Sequence, residues 1–311
     1  MPALQCEHLS KVYRGGFRKK GEVQALQDLS LAVETGQIFS LLGPNGAGKT
    51  TFVKILLSIT HPTSGRAYVL DHPITEPRVR RKVGYLPENH RFPGYLTGQQ
   101  VLSSFGSLSG VRGSALRTRI DALLALVGMQ EWRDVKVRKY SKGMMQRLGL
   151  AQALVNDPAI VFLDEPTDGV DPVGRKEIRD VLRNLRNEGK TIFLNSHLLS
   201  EVELVSDRVA ILDHGKLLKV GTVEELTTTE ESYHISYEGS IPDALRTEAA
   251  ARVLDITISA EGIVARVSDA ASLNALIDLL RKHQVLITSM GQQRNTLEES
   301  FISLIKREIP S

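Results

Sequence analysis

The run Leu41-Leu42-Gly43-Pro44-Asn45-Gly46-Ala47-Gly48-Lys49-Thr50-Thr51 constrains this chain more than any other stretch. An apolar segment feeds a glycine-rich turn that opens into Phe52-Val53-Lys54-Ile55-Leu56-Leu57, so the local order is strand, loop, helix. Gly43, four further residues, then Gly48-Lys49-Thr50 is the spacing of a phosphate-binding loop. Glycines there let backbone N–H groups curl around phosphate oxygens with no Cβ in the way. The helix starting near Lys49 adds the positive end of its dipole. The Lys49 ammonium can reach the β- and γ-phosphates, and the Thr50 hydroxyl can ligate Mg²⁺. Gly43, Asn45, Gly46, Gly48, Lys49, Thr50 and Thr51 are therefore the expected cradle for a nucleoside triphosphate.

A loop of this kind needs a sheet to end on. Ala159-Ile160-Val161-Phe162-Leu163 is the most apolar run and ends at Asp164-Glu165-Pro166. Uninterrupted runs belong to strands buried on both faces, which implies a parallel sheet covered by helices. Thr191 to Leu194 and Asp207 to Asp213 read as further strands, and Gly215 starts a hairpin into Lys216 to Gly221. Leu4 to Val12 reads as a first strand and the alternating Ala25 to Val33 as a half-buried one, separated by a basic solvated loop from Arg14 to Gly21. Arg66 to Leu70 is another strand, and Val83 to Leu86 is stopped by Pro87.

Helical spacing takes over between Leu96 and Met129, and Lys142 to Val155 and Arg175 to Glu188 read as helices. A helical subdomain, at about 90–155, is thus inserted in an α/β core. From about Thr227 the pattern changes to short strands at Tyr233, Val253, Gly262 and Val285, with a helix from Leu273 to His283. That order suits a small α+β domain. Thr296-Leu297-Glu298-Glu299 has capping-box spacing before a last amphipathic helix. The expected organisation is residues 1–226 and 227–311.

Composition excludes several alternatives. With 41% hydrophobic and 24% charged residues the chain is globular, and 39 basic against 36 acidic side chains give no nucleic-acid signature. A single cysteine, Cys6, makes no intrachain disulfide and fits a reducing compartment. Cys6-Glu7-His8 interrupts any leader-like apolar core, and no run approaches the ~18 residues of a membrane span.

Asp164 closes an apolar strand, where its carboxylate can hold Mg²⁺ beside Thr50. Glu165 is placed to polarise an attacking water. Tyr140-Ser141-Lys142-Gly143-Met144-Met145-Gln146-Arg147 resembles the signature turn of ATP-binding cassette (ABC) proteins, a second anion site at a helix N-terminus. Thr167-Asp168-Gly169-Val170-Asp171-Pro172 matches that family's D-loop, Asn195-Ser196-His197 its switch histidine, and Tyr13 its adenine-stacking aromatic.

The resemblance covers Leu4 to Thr222. It implies a RecA-like P-loop NTPase core with an antiparallel β-subdomain, and ATP with Mg²⁺ as bound groups. It further implies head-to-tail dimerisation on ATP, with Ser141 and Gly143 facing the nucleotide of a second copy, and a γ-phosphate contact from His197. A separate transmembrane permease and a peripheral place on the cytoplasmic membrane face follow from the same resemblance. The combination of Tyr85-Leu86-Pro87-Glu88, Tyr140-Ser141-Lys142-Gly143, Gly169-Val170-Asp171-Pro172 and a C-terminal domain ending Leu297-Glu298-Glu299-Ser300-Phe301 is similar to the ATPases of multidrug, lipid, polysaccharide and sodium exporters. Two alternatives stay open: a soluble ABC ATPase of translation or DNA maintenance, and a module that senses nucleotide without hydrolysis. Three positions depart from the pattern. Glu88 replaces a glutamine near the metal, Lys142 a glycine, and Met144 a glutamine.

Overall fold

The computed structural model describes residues 2–14, 21–259, 262–294 and 296–308, so residues 15–20 of the expected basic loop lie outside the described residues. The chain divides into two compact units, Met1–Val223 and Glu224–Ser311.

In the first unit, β1 (Pro2–Arg14) and β2 (Glu22–Glu34) pair antiparallel, followed by β3 (Ile38–Leu42) and α1 (Lys49–Leu56). Then come β4 (Ser64–Val69), the short β5 (His72–Pro73) and β6 (Val83–Leu86). Helices α2 (Gly98–Leu108), α3 (Gly113–Leu126) and α4 (Lys142–Ala153) form the inserted helical part. The core resumes with β7 (Ile160–Asp164), α5 (Pro172–Asn187), β8 (Thr191–Asn195), α6 (Leu199–Val205), β9 (Arg208–Asp213) and β10 (Lys216–Thr222).

Two sheets result among the described residues of this unit. One has the order β2-β1-β4-β5 and is antiparallel; the other runs β10-β9-β3-β8-β7-β6. In the second sheet the neighbours from β9 to β6 are parallel and only β10 joins antiparallel. Every residue of β3, β7 and β8 is buried, as continuous apolar runs require. Phe193 stacks on Phe39 at 5.7 Å between ring centres and packs tilted against Phe52 at 5.9 Å and Phe162 at 5.4 Å. This cluster ties α1 to the sheet, in one core with the inner face of the antiparallel sheet.

The helical part starts with a complete capping box, Gln100 N–H to Thr97 Oγ1 and Thr97 N–H to Gln100 Oε1. Helix α5 starts at Pro172 and not at Arg175. Asp171 Oδ1 caps it by accepting from Gly174 N–H at 2.8 Å, and Pro172 has no N–H to leave unpaired there. Neither α6 nor the helix at Asp243–Ala250 was expected from the sequence pattern.

The second unit begins within the short α7 (Val223–Thr227). It contains β11 (Thr228–Glu238), α8 (Asp243–Ala250), β12 (Asp255–Ser259), β13 (Gly262–Arg266), α9 (Ala270–Lys282), β14 (Leu286–Arg294) and α10 (Leu297–Glu308). Its sheet has the order β12-β13-β11-β14, all antiparallel, and the β-α-β-β-α-β succession is that of a split βαβ fold. Ile235, Ile263 and Ala265 of the sheet and Leu245, Leu276 and Leu280 of the helices form its core. The expected capping box at Thr296 and Glu299 is made in both directions, at 2.8 and 3.1 Å. Among the described residues, no helix is long and apolar enough to cross a membrane.

Candidate active site

Burial of all of β3 pushes the next residues out at the carboxyl end of the sheet, where α1 begins immediately. Gly48 caps this helix at φ +104°, and a Cβ there would lie 2.3 Å from Ala25 O, so the turn demands glycine. No side chain caps the helix, and its first bond runs from Phe52 N–H to Gly48 O at 2.9 Å. The N–H groups of Lys49, Thr50 and Thr51 therefore have no partner within the helix. They open on a cavity of about 320 Å³, and Tyr13, Asn45, Gly46, Gly48, Thr50 and Thr51 are among the residues lining it.

Lys49 Nζ donates to Gly43 O at 2.6 Å and to Pro44 O at 3.1 Å, so the side chain folds back under the loop. Burial lowers the ammonium pKa, while Glu165, Asp164 and Glu88 act against that shift. One cation thus feels the carboxylates that end β7 and follow β6.

Asp164 sits beside Asn195 because β7 and β8 are parallel in that register. Asn195 Nδ2 donates to Asp164 Oδ1 at 2.5 Å. Burial, reinforced by Glu88 and Glu165, pushes the Asp164 carboxyl up to about 6, against the pull of Asn195 and Lys49. Glu165 has φ +53°, a left-handed conformation that costs a non-glycine residue energy. Its N–H donates to Asn195 O at 2.9 Å, and its carbonyl accepts from Asp168 N–H at 3.2 Å and Gln146 Nε2 at 3.3 Å. His197 Nδ1 lies 2.8 Å from Oε1, and Ser196 Oγ donates to Oε2 at 3.2 Å. Glu165 is buried while His197 is half exposed.

These residues suit Mg²⁺ delivered with a triphosphate. Among the described residues no three His, Cys, Asp or Glu side chains converge into a cage, so the ion must bring most of its oxygens along. The Asp164 carboxyl, whose proton affinity burial, Glu88 and Glu165 raise, and the buried unpartnered Oδ1 of Asn195 beside it are the surroundings that a hydrated cation relieves. Thr50, Asp164 and the exposed Glu88 are the protein groups available to it.

Tyr13 lines the same cavity, with the Lys11 ammonium 4.9 Å from its ring centre. Ser141 and Gly143 do not line it. Ser141 Oγ accepts from Met144 N–H at 3.2 Å and caps α4, leaving the N-terminal turn around Gly143 at a separate place. Sequence reasoning gave no role to Gln146, Asn195 or Ser196 as supports of Asp164 and Glu165. The signal for Asn195 was present, as a polar residue closing an apolar strand next to the one that Asp164 closes.

A phosphate loop, an acidic pair and a histidine at the carboxyl ends of adjacent parallel strands define a P-loop ATPase with a RecA-like core. The chain belongs to the ABC transporter family, among its ATP-binding proteins. The family's sequence profile, described as ABC transporter, matches residues 26–168. An uncharacterized ABC transporter ATP-binding protein of Synechocystis is 42% identical, over 97% of this chain and 84% of its own length. The Nod factor export ATP-binding protein I of Burkholderia lata is 34% identical, over 96% of this chain and 97% of its own. Among solved structures, CbiO1 of Clostridium perfringens, part of an ABC transporter complex, superposes with TM-score 0.62 at 28% identity. It covers 72% of this chain and 90% of that one.

Proposed function

We propose that the chain is the ATP-hydrolysing subunit of an ABC exporter, working as an ATP-closed homodimer against a separate membrane permease. The observation that carries the hydrolytic part is the buried Glu165 carboxylate, held on both oxygens by His197 and Ser196 beside Asp164 and the Lys49 loop. Tyr13 stacks the adenine, and the free N–H groups at the start of α1 hold the phosphates together with Lys49. Thr50 and Asp164, with Glu88 nearby, would hold Mg²⁺, whose charge would offset the negative charge that gathers on the phosphate oxygens. Glu165 accepts a proton from the attacking water, and His197 moves from the carboxylate toward the γ-phosphate.

Ser141 and Gly143, which lie away from the cavity of their own chain, complete the site of a second copy. A groove of about 460 Å³ lined by Tyr85, Pro87, His90, Phe92 and Phe105 follows the Glu88 loop and reaches the helical part. We assign the permease contact to that groove and, with it, a peripheral position on the cytoplasmic membrane face. Export is favoured by the Nod factor export relative, which matches across nearly its whole length, second unit included.

The test is phosphate release by the purified chain with Mg²⁺ and ATP, together with fractionation of cells with and without its co-expressed permease. Release that is abolished in Glu165→Gln, and membrane retention only with the permease, are expected. Absence of release from the wild type refutes hydrolysis, and equal distribution in both fractions refutes the permease.

A further inference from the structure

Lys142, the residue that replaces a signature glycine, meets a residue of the D-loop in space. Its ammonium donates to Asp168 Oδ2 at 2.7 Å. That hydrogen bond, opposed by partial burial and assisted by the charges of Lys142, His197 and Arg175, holds the Asp168 carboxyl below the ordinary aspartate range. The lysine stem lies across Gly169. At φ +64° this glycine has a backbone few other residues adopt, and a Cβ there would come within 2.2–2.5 Å of Nζ, Cε and Cδ of Lys142. Lysine, aspartate and glycine are thus fitted to one another.

The fit has a place in the site. Asp168 N–H donates to the Glu165 carbonyl, and Gln146, one turn after Lys142 on α4, donates to that same carbonyl. The segment carrying the strained Glu165 is therefore held at both ends from the start of α4, the turn that also carries Ser141 and Gly143. A glycine at 142 would leave the Asp168 end without its ammonium partner.

We propose that Lys142 is a positioning residue which, by clasping Asp168 across Gly169, locks the 167–170 loop to the N-terminus of α4 and keeps Glu165 and the Ser141 turn in one relative placement. The inference rests on the reading of Glu165 as the base. With side chains 59% and 46% exposed, the pair is too weak to decide global stability. Its effect falls on local opening of the loop.

Hydrogen exchange of the nucleotide-free full chain reads that opening without any catalysis. Lys142→Met and Asp168→Asn are each expected to speed exchange of the amides at 168–170 about threefold, the size a half-exposed ion pair supports. The double variant should go no further than either single one, and Lys142→Arg should stay at the wild-type rate. In ATP turnover the single variants should lose kcat with KM for ATP unchanged. Unchanged exchange in the single variants, or additive effects in the double, overturns the clasp. If exchange behaves as expected but the wild type releases no phosphate, the reading of Glu165 as the base fails and the positioning role with it, while the ion pair itself stands.

Discussion

Oε1 of Glu165 lies 2.8 Å from Nδ1 of His197, with the carboxylate buried and the imidazole half exposed. Both Glu165 oxygens are engaged, since Ser196 Oγ donates to the other at 3.2 Å. In the proposed role of base, Glu165 is oriented by these contacts, and His197 must leave it for the γ-phosphate. Glu165→Gln removes the proton acceptor and keeps the shape. We expect phosphate release to fall by about 10²–10⁴, with ATP affinity retained and an ATP-bound dimer accumulating. Size-exclusion chromatography with ATP, beside a phosphate-release assay, checks both; normal turnover refutes the base.

Removing the other partner tests orientation instead of proton transfer. In His197→Ala the carboxylate keeps only Ser196, and the site loses the donor we propose for the γ-phosphate. Turnover should fall by about 10²-fold with nucleotide affinity changed much less, as a KM-against-kcat comparison would reveal. Loss of ATP binding in this variant would place His197 in the cradle instead.

How much of this was legible in the sequence depends on the range of the forces involved. β3, β7 and β8 announce themselves because burial on both faces writes a continuous apolar run, and the chemistry sits at their ends. Helix α6 was missed because one of its three buried residues is Glu201, neutralised by Arg179 at 2.6 Å, a pairing that hides the apolar stripe. Helix α8 was missed because, among its described residues, the core receives Leu245 and Ala249, too short an apolar pattern to read as a helix. In the site, the loop residues were readable from spacing alone. The pairing of Lys142 with Asp168 and the support of the Glu165 carbonyl by Gln146 depend on where α4 docks, which no local pattern encodes.

Phe193 touches Phe39, Phe52 and Phe162, and so joins β3, β7, β8 and the helix that follows the phosphate loop. Phe193→Ala opens a cavity that these rings cannot all close, and should cost about 3–5 kcal/mol. Phe193→Leu, closer in volume, should cost no more than about 1.5 kcal/mol. Urea unfolding followed on the first unit measures the difference. Equal midpoints for the two variants would show that the cluster relaxes freely.

Asp157 accepts from Lys190 at 2.7 Å and from Arg119 of α3 at 3.0 Å, linking the helical part to the approach to β8. Those contacts, Lys190 first, hold its carboxyl below the ordinary value of 3.8 despite partial burial. The folded pKa is the lower one, so this contribution is full above pH 3.8 and fades as pH falls through the folded value. Asp157 also has φ +53°, which asparagine tolerates, so Asp157→Asn removes the charge without new backbone strain. Two-thirds of the side chain is exposed, which limits the loss at pH 7 to under about 1 kcal/mol. Urea midpoints of wild type and variant should differ at pH 7 and converge below pH 3.8; a gap that persists in acid would mean that the aspartate acts through shape and not through charge.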